Sequence, residues 1–228
     1  MHLEQVDFVH VLHLGDGENR YNAESVAKLT ELVAEVEAVE GPRALVMVGD
    51  GKFWSNGLDL DWLDSHRGQA QQLLADLQEL YATILEANFA TVAAIQGHCY
   101  AGASIMAMAF DARIMREDRG FFCFPEADIG IPFSPGMSAL LSAKLAPQTA
   151  HQALVFARRY SAPDAAAAGI VDETAGEADV LPRAIAYAAE LAAKHRGTMR
   201  AIKRGLYGDA LAALRDPESS RIDGLFDR

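Results

Sequence analysis

Cysteine is almost missing from this sequence: Cys99 and Cys123 are the only two. They form no CxxC pair and share no histidine spacing of a zinc site, so a disulfide scaffold and a metal centre are both excluded. A reducing, cytoplasmic setting is the expectation. Positive charge is in deficit as well, with 20 Lys and Arg against 32 Asp and Glu and a formal net charge of -12. Polyanion binding needs clustered cations, so nucleic acid is not an expected partner, although one anionic ligand still finds room at a local basic site. No apolar run reaches membrane-spanning length, and the start, MHLEQVDFVHVLHLGDG, has early acids in place of a basic signal-peptide region. A soluble protein without a membrane partner is expected. GDGK lacks the spacing of a phosphate-binding Walker loop, and no linker or repeat divides the chain.

What is present is a large apolar fraction, 50% of 228 residues, enough for the core of one sizeable domain. Val9, Val11 and Leu14 predict a strand ended by GDGEN. A helical period follows through Val26, Leu29, Leu32, Val33 and Val36, with Asn22 as N-cap. RALVMVGDG predicts a strand covered on both faces, and Leu73, Leu74, Leu77, Leu80, Tyr81, Ile84 and Leu85 a helix. TVAAIQG predicts a strand at 91–97, followed by a helix near 102–110 and the strand ARIMRED. This alternation predicts an α/β fold with parallel pairing. Beyond residue 134 the strand signals fade and helices dominate: a short one in SAPDAAAAG, then 182–195 and 199–214.

Three strand ends carry the candidate chemistry. In GDGKFWSNGLDLDWL, residues 49–63, the small residues Ser55, Asn56 and Gly57 let the backbone approach a ligand and leave the Leu58 N–H free to point at it. A plain strand-to-helix turn capped by Asp59 fits that stretch equally. QGHCYAGAS, residues 96–104, is a glycine-rich strand end where Gly97, Gly102 and Ala103 permit tight helix packing, and where His98 receives no role. FFCFPEADIGIPFSPG, residues 121–136, places Glu126 and Asp128 in the first turn after Pro125. There a helix dipole favours acids. Alternatively, an acid facing an apolar pocket has its pKa raised towards the working range of a general base. These residues by themselves do not rank the two.

Taken together, the stretches resemble the crotonase superfamily, the enoyl-CoA hydratase and isomerase group. ENRYNAESVAKL is similar to its R-x-N-A-x-x-x-x-x-L segment, KFWSNGLDL to its F-x-A-G-x-D-L loop, and TVAAIQGHCYAGASIMAMAFDARI to the strand, glycine, helix and strand that follow. FCFPEADIGIPFSPG resembles F-x-x-P-E-x-x-x-G-x-x-P, and SAPDAAAAGIVDE the S-A-x-E-A-x-x-x-G-L-V-D close. The resemblance spans nearly the whole chain. It implies one crotonase-like domain over 1–228, with a ββα spiral α/β core at 1–160 and a helical C-terminal portion at 161–228 packed on that core or on a neighbouring subunit, in a homotrimer or a dimer of trimers.

The resemblance also implies an acyl-CoA thioester as substrate, with CoA carried on it and no separate cofactor. The implied oxyanion-hole donors are the backbone N–H groups of Leu58 and Cys123. Ser55, Asn56, Gly57, Asp59 and Leu60 would lie along the CoA, with Lys52, Arg20, Lys203 or Arg204 for its phosphates. Trp54, Phe124, Ile131 and Phe133, with Phe53, are candidates for the acyl pocket. Glu126 falls on the glutamate of the P-E motif, and Asp128 becomes a turn residue. Aligning TAHQALVFARRYSA with the family's next helix puts Gln152 where hydratases keep a second glutamate. A site with one acid suits isomerisation of a 3-enoyl thioester, as in the delta-3, delta-2-enoyl-CoA isomerases. Hydration, thioester hydrolysis and non-catalytic acyl-CoA binding are the alternatives.

Overall fold

The computed structural model describes residues 1–222 and 225–226. The chain runs β1 (His2–Val6), β2 (Val9–His13), α1 (Ala23–Ala38), β3 (Ala44–Val48), β4 (Phe53–Ser55), α2 (Leu60–Ser65), α3 (Ala70–Leu85), β5 (Ala90–Ile95), β6 (His98–Tyr100), α4 (Gly102–Ala109), β7 (Ala112–Arg116), β8 (Phe122–Cys123), α5 (Glu126–Ile129), α6 (Pro135–Lys144), α7 (Pro147–Ala150), α8 (Ala162–Ala167), β9 (Glu173–Ala175), α9 (Val180–Ala192) and α10 (Arg196–Arg215). Two sheets result, a large one in the order β1-β2-β3-β5-β7-β9 and a small one in the order β4-β6-β8. Among the strand pairs of the described residues β1–β2 is antiparallel and the others are parallel, with one isolated antiparallel bridge between Phe122 and Tyr160.

The chain visits the large sheet, then the small sheet, then a helix, and repeats: β3 to β4, β5 to β6, β7 to β8. That is the expected ββα spiral. The crossing between sheets is tight. A Cβ on Gly97, between β5 and β6, would stand 2.1 Å from the Lys52 carbonyl oxygen, so only glycine lets the strands turn there.

All five residues of β3 and all six of β5 are buried, which explains their unbroken apolar runs. One sheet face packs Val9, Val11, Val46, Val92 and Ile114 against Val180, Ala184 and Ala188 of α9. The small alanines bring α9 close to the strands. The other face packs Leu12, Leu45, Met47, Ala93 and Ile95 under α1, α3 and α4. Asn22 caps α1 as expected: its side chain accepts from the Ser25 N–H at 3.0 Å, while the Ser25 hydroxyl accepts from the Asn22 N–H at 2.9 Å.

Helices dominate beyond 134 as expected, and one short strand stands among them: β9 pairs parallel with β7, Met115 opposite Thr174. With α9 filling a sheet face and α10 lying on α3 and α6, the C-terminal third completes the core of the same chain. A buried ion pair pins α10: Lys203 Nζ donates to Asp111 Oδ2 at 2.7 Å, and the same oxygen accepts from the Thr91 N–H at 2.9 Å.

Candidate active site

The carboxyl ends of β4, β6 and β8 open onto a cavity of about 380 Å³. Its walls are mostly aliphatic, with Leu58, Leu60, Ile105, Ile129, Ile131, Phe133, Met137 and Ile222 among them. Two acids line it, Glu126 and Asp61, and two cations, Arg20 and Arg159.

The first wall is the SNGLDL loop, held by the segment that precedes α1. Asn19 donates through Nδ2 to the carbonyls of Gly15, Phe53 and Trp54, and the Ser55 hydroxyl donates to the Asn19 carbonyl at 2.7 Å. The Tyr21 N–H donates to the Gly57 carbonyl at 2.8 Å, and the Asp59 N–H donates back to Tyr21 at 2.9 Å. The Gly57 N–H is taken by the Ser55 hydroxyl at 3.2 Å. The Leu58 N–H is thereby left without an acceptor among the described residues, as expected for a group aimed at a ligand. Gly57 has φ +76°, and a Cβ on it would meet the Gly102 nitrogen at 2.8 Å. No other residue type fits that contact without moving the loop.

The second wall is the β6–α4 junction. Gly102 opens α4, where the first N–H groups of a helix have no intrahelical partner. Its N–H has no acceptor among the described residues, while its carbonyl accepts from the buried Tyr81 hydroxyl at 2.8 Å. Ala101, just before it, has φ +54° and ψ -129°, the strained turn that swings the helix start towards Leu58. A Cβ on Gly102 would stand 3.6 Å from the Leu58 nitrogen. Two free N–H groups therefore sit side by side in the cavity wall.

Cys123 does not supply the second of them. The parallel register of Cys99 with Phe122 and of Tyr100 with Cys123 commits the Cys123 N–H to the ladder, donating to the Cys99 carbonyl. The Cys123 carbonyl is also taken, accepting from Ala101 N–H at 3.1 Å and from the Ser104 hydroxyl at 2.8 Å. Cys123 still lines the cavity, with a thiol that burial pushes up to about 11, an inert group at neutral pH. Gly102 was missed because its glycine was read for packing alone. The signal was a helix start directly after a strand end.

The third wall carries the acid. Pro125 precedes the single turn α5, which ends at Gly130 with φ +71°. Glu126 is 7% exposed, and its Oε2 is buried without a hydrogen-bond partner among the described residues. Burial raises its pKa from the ordinary 4.5 to about 7, with a hydrogen bond to its own backbone opposing. Asp128 lies exposed on the far side of the turn, in keeping with a turn role. Asp61 is a different kind of acid: its side chain is 92% exposed and paired with Arg20 at 3.2 Å. Within the cavity, Glu126 is the only buried carboxylate among the described residues.

Several expected contacts lie elsewhere. Trp54 is wholly buried core and does not line the cavity, donating through Nε1 to the Met47 carbonyl at 3.1 Å and packing edge-on to Phe110. Phe124 forms a layer behind the wall, edge-on to Phe133 with centroids 6.5 Å apart. Ile131 and Phe133 do line the cavity. Of the CoA candidates, Asn56 and Leu60 line it together with Leu58. Ser55 is spent on the loop, and Asp59 caps α2 by accepting from the Trp62 N–H at 3.1 Å. Lys52 lies over the Phe53 ring, with Nζ 5.2 Å from its centroid, and neither residue lines the cavity. Lys203 is held by Asp111 and Arg204 by Glu86, at 2.7 Å each, so both are structural cations. Gln152 does not line the cavity either; its side-chain oxygen accepts from Arg158 at 3.3 Å. The cavity wall beside Gly102 is instead aliphatic, at Ile105.

The family described as enoyl-CoA hydratase/isomerase matches residues 9–222. Enoyl-CoA delta isomerase 2, peroxisomal, of Arabidopsis thaliana is 32% identical over 213 residues, covering 88% of each chain. Enoyl-CoA delta isomerase 3 of the same plant is 32% identical over 204 residues and 85% of each. Among solved structures, an apo enoyl-CoA isomerase of Mycobacterium tuberculosis superimposes with a TM-score of 0.88 at 25% identity, over 100% of this chain and 97% of the other. A second structure of that same Mycobacterium tuberculosis protein, described there as a probable enoyl-CoA hydratase, gives 0.89 at 26%, over 98% and 93%. No helix among the described residues is long and apolar enough to cross a membrane. In sequence and in fold, the chain belongs to the enoyl-CoA hydratase/isomerase family.

Proposed function

We propose that the protein shifts the double bond of a 3-enoyl-CoA to the trans-2 position, with Glu126 as the single proton carrier. One observation carries the proposal: a lone buried carboxylate with an unpartnered oxygen in an aliphatic cavity, its pKa raised to about 7. Ionised Glu126 takes a proton from C2, and the electrons move into the thioester to give a dienolate. The Leu58 and Gly102 N–H groups donate to its oxygen. The same carboxyl, now protonated, returns the proton at C4, so the protein ends in its starting state and no water is consumed.

A pKa near 7 suits both halves of that cycle, since base and acid forms are comparably available at neutral pH. Hydration needs a second group to activate or protonate, and Gln152 is not its vacant seat. The stronger argument is Ile105, an aliphatic residue in the wall beside the paired N–H groups. The isomerase names of the Arabidopsis relatives agree with this choice. A homotrimer remains part of the proposal, resting on family likeness alone.

The test is to incubate the protein with 3-hexenoyl-CoA and, separately, with 2-hexenoyl-CoA, and to identify the products by mass and NMR. Interconversion of the two supports the proposal. Formation of 3-hydroxyhexanoyl-CoA, or release of free CoA without migration of the double bond, would replace it with hydration or thioester hydrolysis.

A further inference from the structure

The small sheet orders the cavity from one side to the other. Its strands run β4-β6-β8, and residue Tyr160 bridges the outer edge of β8 by pairing with Phe122. The cavity residues therefore fall in sequence: Arg20 and Asn56 beside β4, Gly102 after β6, Glu126 after β8, and Arg159 beyond it. The two arginines stand at opposite ends and are not equivalent. Arg20 is neutralised by Glu18 and Asp61. Arg159 is exposed, and no carboxylate of the described residues lies within ion-pair distance of it; Tyr100 and Cys123 line the cavity with it.

If CoA lies along 56–60, as the family resemblance implies, the acyl chain leaves the paired N–H groups, passes Glu126 and runs towards Arg159. A guanidinium with no carboxylate partner among the described residues, at the solvent-exposed β8 end of the cavity, is a better neighbour for a carboxylate than for a terminal methyl. We infer that Arg159 is a specificity residue, and that the preferred substrates are enoyl thioesters whose acyl chain ends in a carboxylate. This rests on the assignment of the CoA and acyl ends of the cavity under the isomerase proposal.

The test uses saturated ligands, which bind without reacting. Calorimetry compares hexanoyl-CoA with adipoyl-CoA, which share six carbons and differ in a terminal methyl or carboxylate, with free CoA as reference. An exposed ion pair predicts that adipoyl-CoA binds about two- to fivefold more tightly. Arg159→Met should remove the difference between the two ligands, and Arg159→Lys should keep part of it, with thermal melts checking that both variants fold. Equal affinities in the wild type overturn the inference. So does an equal loss for both ligands and for free CoA in Arg159→Met, which would put the guanidinium on the CoA phosphates. Because neither ligand turns over, the preference is read whether or not 3-hexenoyl-CoA is isomerised; inactivity there sinks the isomerase proposal alone.

Discussion

Replacing Glu126 by Gln should stabilise the protein at alkaline pH, by an amount the burial of the carboxyl sets. Its pKa is about 7 in the folded chain against an ordinary 4.5. The folded state thus holds this proton more tightly than the unfolded state does. The resulting stability is fully present below pH 4.5, shrinks as pH rises, and is gone above about 7. Each pH unit in that window is worth about 1.4 kcal/mol, so the wild type loses roughly 3 kcal/mol that the uncharged glutamine does not lose. For a chain of this size that is about 6–12 °C in Tm. Glutamine also leaves polar atoms in the apolar site, but that cost does not vary with pH. Thermal melts of both proteins at steps from pH 5 to 8.5 read the difference directly. A gap in Tm that stays constant across this range would mean that Glu126 is solvated, and would remove its raised pKa from the account.

Other predictions address the rest of the site and its frame. If Glu126 acts first as a base, kcat/KM for 3-hexenoyl-CoA should rise about tenfold per pH unit up to about 7 and level above it; a flat profile would point to a different group. Gly57→Ala puts a methyl 2.8 Å from the Gly102 nitrogen at a positive φ, and should cost about 1–3 kcal/mol in strain. By separating the two N–H donors it should also slow turnover roughly 10²- to 10³-fold; wild-type turnover would argue against the pairing of Leu58 with Gly102. Asp111→Ala strands the Lys203 ammonium inside the α10 contact and should cost about 3–5 kcal/mol in urea unfolding, whereas a loss below about 1 kcal/mol would mean the pair is solvated.

Much of this was legible in the residues, and the gaps have physical causes. Long buried strands such as β3 and β5 announce themselves by apolar runs, and α1 and α3 by their period. β4, β6 and β9 have three residues each, too short for any period, and are recognisable only once partnered. Glu126 was found because proline, aromatics and an apolar run surround it. Its unpartnered oxygen is a three-dimensional fact. Cys123 and Gly102 show the same limit: whether a backbone N–H is free depends on the strand beside it, and the ladder claims one while the helix start releases the other. Gln152 was a counting argument along one helix, whereas the cavity is built across three strand ends. Trp54 is pocket wall by residue type, but its bond to the Met47 carbonyl and its packing on Phe110 hold it in the core.

The central claim is that one carboxyl carries the proton. The most direct measurement follows 3-hexenoyl-CoA by NMR with wild type and Glu126→Gln, alongside hexanoyl-CoA affinity. The account predicts conversion to trans-2-hexenoyl-CoA by the wild type. In the variant it predicts a loss of about 10²- to 10⁴-fold in turnover with hexanoyl-CoA still bound. Turnover in the variant within tenfold of the wild type would contradict it.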